Sequence, residues 1–213
     1  MWAEQVIAYC ERSDFTFWAE PVNAVTNAAF VIAAAIMWPR ARGVPMAQAL
    51  VGVLAVIGVG SFLWHTHATR WAGLADVLPI LVFILIYLFA ATRDFLRLGL
   101  VGGAGALALF VPYVAAVAGA LGLVVPGLGA NAIYGAVALL IVIYGLILRG
   151  TATGRGLLIG AGVLFVSLGF RMADAAVCDA FPIGTHFMWH ILNAVMLAWM
   201  TEVYLRYRRR VAG

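Results

Sequence analysis

Apolar residues run almost unbroken through seven stretches of this chain, at about 21–39, 46–67, 73–92, 98–120, 130–148, 156–178 and 185–205. Each is close to the roughly 20 residues that a helix needs to cross about 30 Å of hydrocarbon. The separators are helix breakers and charges: Pro39-Arg40-Ala41-Arg42-Gly43, Thr69-Arg70, Arg93-Asp94, Pro126-Gly127, Arg149-Gly150 and Phe181-Pro182. The pattern predicts an all-α membrane protein, a seven-helix transmembrane bundle over 21–205. A segment outside the membrane (1–20) precedes it, and a short basic tail (206–213) follows. The first twenty residues hold Glu4, Glu11, Asp14 and Glu20 against one base, Arg12. A secretory signal has the opposite charge order, so the first helix is expected to act as its own insertion signal and to stay.

Composition agrees with the pattern. Of 213 residues, 65% are hydrophobic and 10% charged, with a mean hydropathy of +1.05. Soluble domains are about 45–50% apolar and about a quarter charged. All 13 basic residues are arginine. The absence of lysine excludes a retinal Schiff base, and with it the retinal proteins among seven-helix bundles. Ten arginines (40, 42, 93, 97, 149, 155, 206, 208, 209 and 210) fall at one set of helix ends, and three (12, 70 and 171) at the other. Arginine-rich ends stay in the cytoplasm, so the N-terminus is expected outside and the C-terminus in the cytoplasm. The Ala, Gly and Arg bias resembles that of a GC-rich bacterial genome. The expected location is therefore a bacterial inner membrane.

The four histidines fall in two clusters, SFLWHTH at 61–67 and HFMWH at 186–190. Ser61 and His65 are four apart, as are His186 and His190, so each pair shares one helix face. The predicted directions bring His65, Asp76, His186 and His190 to one outer depth, with Ser61 a turn below. Ionisable groups inside a membrane cost about 2.5–3.5 kcal/mol each and usually mark function. Three histidines suit zinc and leave its fourth position open, as in catalytic sites. Asp76 could then move the proton of an attacking water, and Ser61 could donate to a developing oxyanion. His67 points elsewhere and reads as interfacial. Carbonyl hydrolysis is the reaction this set suits.

Together, Ser61, His65, Asp76, His186 and His190, with eleven positions from His65 to Asp76, resemble the alkaline ceramidase family. That family belongs to a superfamily of seven-helix hydrolases that includes the progestin/adipoQ (adiponectin) receptors. The segment YCERSDFTFWAEPVNAVTN, with Glu20, Asn23 and Asn27 at Glu-x2-Asn-x3-Asn spacing, is similar to the ceramidase start. The resemblance implies zinc on the three histidines and a membrane lipid substrate, ceramide, cleaved at its amide bond on the periplasmic side; no nucleic-acid partner is expected. It further implies calcium on acidic residues of the first segment, for which Glu11, Ser13, Asp14 and Glu20 match. Ala8 stands where the family carries an aspartate, and the alternative for these residues is a solvated acidic cap. A Cys10–Cys178 disulfide is also implied. Arg171 and Asp174, one turn apart, read either as a local ion pair or as support for a zinc histidine. The competing readings of the whole are a receptor or sensor of the adiponectin-receptor type with zinc, and a hydrolase of another bacterial lipid amide or ester.

Overall fold

The computed structural model describes residues 2–125 and 127–212. Met1, Pro126 and Gly213, assigned above to the first segment, a loop and the tail, lie outside the described residues. The described residues form helices α1 (Pro21–Thr26), α2 (Ala28–Ala41), α3 (Pro45–His67), α4 (Arg70–Ala90), α5 (Gly99–Val124), α6 (Asn131–Ile147), α7 (Ala152–Val177) and α8 (His186–Ala212). A π-helical turn, Ala91–Phe95, extends α4, and α1 runs into α2 across the single residue Asn27. The result is seven rods. Five of them (21–41, 45–67, 70–95, 99–124 and 152–177) are long and apolar enough to cross a membrane. The sixth, α6, is apolar but has 17 residues. The seventh, α8, has 27 residues but carries His186, His190, Asn193 and Glu202, all buried inside the bundle. Its polarity is turned away from lipid.

Local chemistry sets the rod ends. Pro21 and Pro45 open α1 and α3 at positions where the missing amide costs nothing. The Thr151 hydroxyl caps α7 by accepting from the Gly154 amide at 2.9 Å. The basic segment 206–212 continues α8 without a break, its arginines favourably placed at the helix C-terminus. Consecutive rods pack side by side from α2 to α8, and α8 returns against α2 and α3 to close a ring. At the arginine-rich end, Arg40 and Arg206 both donate to Glu202. Asp94 there accepts from Arg93 and from the Tyr204 hydroxyl.

Lipid gives helices no hydrophobic reason to associate, so close backbone approach carries more of the packing. Gly60 is the tightest such approach beside the candidate site. A methyl built there would stand 2.0 Å from the Ala75 carbonyl oxygen on α4. Gly60→Ala is therefore expected to destabilise by about 2–3 kcal/mol, the upper range for overpacking. Gly52→Ala, whose methyl meets nothing within 4 Å, should leave the unfolding midpoint unchanged or raise it. Thermal unfolding of the two variants in detergent checks this, and equal midpoints would contradict the contact.

Candidate metal centre

Two rods converge on the histidines. His65 sits in the last turn of α3, and His186 and His190 in the first two turns of α8. All three are buried, with 0–1% exposure. Their ring centroids lie 4.7–5.2 Å apart, and one ring nitrogen from each falls within 4.8 Å of the others. Three buried nitrogens find no hydrogen-bond partner: His65 Nε2, His186 Nδ1 and His190 Nε2. An orphaned buried polar atom costs about 1–3 kcal/mol, and three facing one another fit a metal that takes imidazole ligands. Among the described residues no fourth His, Cys, Asp or Glu joins the group. A buried three-histidine set that could bind a metal ion is thus present.

The opposite edges of two rings are held. His65 Nδ1 donates to Glu20 Oε2 at 2.5 Å. His190 Nδ1 lies 3.0 Å from the Thr26 hydroxyl, whose own proton is directed to the carbonyls of Val22 and Asn23. Thr26 must therefore accept, and His190 Nδ1 must carry the proton. In both rings this leaves Nε2 with a free lone pair, the tautomer that a metal needs.

Asp76 and Ser61 come from adjacent rods that Gly60 lets touch. The Ser61 hydroxyl is in hydrogen-bonding range of the Asp76 carboxylate, which also feels the charge of Arg171. His67 stands apart. It is exposed and packs edge-on against Phe17 and at a tilt against Trp71.

The N-terminal segment covers the centre. Tyr9 lies flat on His186, centroids 3.6 Å apart. Burial pushes its phenol up to about 12, against the pull of the Arg171 charge. Arg171 does not pair with Asp174. It donates to the Tyr9 hydroxyl (3.1 Å) and to Asn131 (2.9 Å), within about 5–6 Å of the Tyr9, Tyr134 and Trp189 rings. Asp174 is buried and turned the other way. One carboxylate oxygen accepts from the amides of Thr185 (2.7 Å) and His186 (2.9 Å), and the other from the Cys10 amide at 3.0 Å. It caps the start of α8 from a neighbouring rod and so fixes the backbone of a ligand histidine. Gly184 makes room for it. Its φ is +66°, and a methyl there would stand 2.1 Å from Asp174 Oδ1.

Cys10 and Cys178 form a disulfide, with Cα atoms 5.2 Å apart and 168 residues of separation. A closed loop of that length is worth roughly 5 kcal/mol on chain-entropy reasoning. It pins Tyr9 over the histidines.

The calcium expectation does not fit. Glu11 accepts from the Val22 and Asn23 amides at 2.7 and 2.8 Å. Burial raises its carboxyl, and those amides partly offset the rise. Asp14 is exposed and accepts from the Thr16 hydroxyl and amide, which hold its pKa down; Ser13 is exposed. Glu20 is buried with both oxygens engaged, one by Arg12 Nε at 2.5 Å and the other by His65 and Asn23. Burial works to raise its carboxyl, but the bonds and charges of His65 and Arg12 outweigh that and hold it low. The positive charge among these oxygens belongs to Arg12. It is 3% exposed and also donates to the carbonyls of Asp14 (3.0 Å) and His65 (2.8 Å). A guanidinium with carboxylate and carbonyl partners takes up the kind of oxygen set that calcium requires.

Glu20 and Thr26 as histidine partners, Tyr9 as a cover and Arg12 as a buried cation are functional placements that sequence reasoning missed. The one available signal was Arg12, the single base in an acidic stretch. Compared with known proteins, the chain matches no family model, and a search of curated proteins finds no match.

Proposed function

We propose that this protein is a seven-span membrane hydrolase, with its N-terminal segment and metal centre outside the cytoplasm, that cleaves the amide bond of a membrane lipid. Zinc is the metal and a ceramide-like N-acyl sphingoid base the substrate class; the location is the bacterial inner membrane with the centre toward the periplasm. The observation that carries this reading is the group of three buried, unpartnered ring nitrogens, with Asp76, half-buried and paired with Ser61, close enough to feel His65. Three histidines without a fourth protein ligand leave room for a reacting group, which favours hydrolysis over a purely structural metal.

Zinc, when bound, lowers the pKa of a water toward about 7 and polarises a carbonyl. The chain's residues do the rest. Asp76 accepts a proton from the attacking water as the new C–O bond forms, then returns it to the nitrogen as the C–N bond breaks. Ser61 steadies Asp76 and can turn its hydroxyl toward the oxyanion. Glu20 and Thr26 hold two ligand rings still.

Two features support a lipid substrate and the orientation. An apolar cavity of about 70 Å³ lies among Phe83, Tyr87, Val137, Leu157, Met196 and Leu197. Phe83 and Leu197 are each seven residues beyond Asp76 and His190, about 10 Å along their helices. A chain attached to a carbonyl at the centre would point that way. The disulfide suits an oxidising compartment, and the arginines gather at the opposite end.

The test is fatty-acid release from ceramide, and from other lipid amides and esters, by detergent-purified protein of known metal content. Asp76→Asn should keep its metal and lose roughly 10²–10⁴-fold in rate. An Asp76→Asn variant as fast as wild type would remove the proposed proton carrier. A zinc-loaded wild type inert toward every lipid amide and ester would overturn the hydrolase reading.

A further inference from the structure

The end of the molecule opposite the metal centre carries two recesses lined with arginine, and they differ in how their charge is answered. The first holds Arg93, Arg97 and Arg208 beside the π turn. Asp94 sits in it, bound bidentately by Arg93 at 2.7 and 2.8 Å and 3.5 Å from Arg208. The second lies between the first turns of α7 and the end of α8. Arg155, Arg206 and Arg210 line it together with Trp199, Ile159 and Val203, and no carboxylate does.

The second recess is partly built in advance. Arg206 donates to Glu202 at 2.9 Å and lies over the Trp199 ring, 5.4 Å from its centre. Trp199 is fixed in turn by its Nε1 donating to the Gly156 carbonyl at 2.8 Å. Arg155 and Arg210 are exposed, and neither side chain makes a hydrogen bond or ion pair among the described residues. Two guanidiniums thus stand at the recess without a counter-charge, beside a third that Glu202 answers. The first turn of α7 adds the positive end of a 26-residue helix.

The chemistry of the walls narrows the occupant. Beneath the arginines the surface turns apolar through Trp199, Val203 and Ile159, and Ile159 is 54% exposed. A free inorganic anion would use only the upper rim. An amphiphile with a phosphate at one end and hydrocarbon at the other matches both parts. Basic pockets between helices at the arginine-rich face of membrane proteins recognise such headgroups, and guanidinium forks suit phosphate oxygens. We propose that the recess between α7 and α8 binds the headgroup phosphate of an anionic phospholipid from the adjoining leaflet, its chains lying against Trp199 and Ile159. The lipid answers the charge of Arg155 and Arg210 and ties α7 to α8, the helix that carries two of the three metal-facing histidines.

The test uses the full chain in detergent, delipidated and titrated with phosphatidylglycerol, phosphatidylcholine or inorganic phosphate, and read by thermal unfolding and native mass spectrometry. Phosphatidylglycerol should raise the midpoint and remain bound, while phosphatidylcholine and phosphate do neither. Arg155→Gln/Arg210→Gln should weaken phosphatidylglycerol binding at least tenfold. Arg42→Gln/Arg97→Gln, with equal charge loss at the same end but outside this recess, should bind like wild type. Equal loss in both double variants would reduce the effect to diffuse surface charge and overturn the site. An equal response to phosphatidylcholine would overturn the headgroup assignment, and reproduction by phosphate alone would overturn the lipid.

Discussion

Replacing His186 with alanine is expected to take bound metal from about one equivalent to near zero while leaving the helices in place. The group has three imidazoles and no fourth protein ligand among the described residues, so one deletion leaves two nitrogens from separate rods. The loss should exceed the 10–100-fold that follows removal of a partner lying behind a ligand. The fold should survive because what holds the start of α8 is its backbone. Asp174 accepts from the amides of Thr185 and His186, and alanine keeps that N–H. His67→Ala is the control; it removes a histidine, two residues from His65, that is exposed and lies against Phe17 and Trp71. Elemental analysis of both variants, with circular dichroism alongside, makes the comparison. Stoichiometric metal in His186→Ala would show that the centre lies elsewhere, and hydrolysis should vanish with the metal.

Glu20→Gln should be the most damaging change outside the three ligands. Glu20 and Arg12 form an ion pair whose side chains are 3% and 0% exposed, and the same carboxylate takes the His65 Nδ1 proton. A buried pair adds little net stability when intact, yet breaking it costs about 3–5 kcal/mol because one charge is left without its partner. Glutamine keeps the size and a carbonyl oxygen but leaves the Arg12 guanidinium uncompensated. It also weakens the bond that sets the His65 tautomer. Both a lower unfolding midpoint and a roughly 10–100-fold weaker metal affinity are expected. Thermal unfolding and competition against a graded chelator series measure the two separately. A variant that melts and holds metal like wild type would mean that the Arg12–Glu20–His65 chain is incidental.

Much of this architecture was legible in the order of residues. Hydropathy finds rods nearly where they occur, because a lipid-facing helix surface must be apolar and α8 keeps its polar groups inside the bundle. The i, i+4 spacing of His186 and His190, with the direction of each rod, brings them to the level of His65. What escaped were contacts whose partners lie far apart in the chain. Glu20 and His65 are 45 positions apart and Cys10 and Asp174 are 164 apart, and no local period links them. Glu20, placed just before Pro21, reads as a solvent-facing residue at a helix start, yet its side chain makes no cap there. Arg171 and Asp174 look like an i, i+3 ion pair, but the aromatic rings around Arg171 and the free amides at the start of α8 are better partners for each. Arg12 looks like a stray base until three dimensions put oxygen atoms around it.

The placement of the histidines also bears on how the protein is made. His65 closes the third helix, while His186 and His190 open the eighth, so during synthesis the first ligand waits through more than a hundred residues for the other two. No ion can be gripped by all three until α8 has left the ribosome and been threaded back against α2 and α3. The first segment cannot close its cystine until Cys178 arrives from just ahead of that same helix. Assembly thus has an enforced order in which metal capture comes late. A nascent chain interrupted before α8 would hold neither the ion nor the bond that covers it.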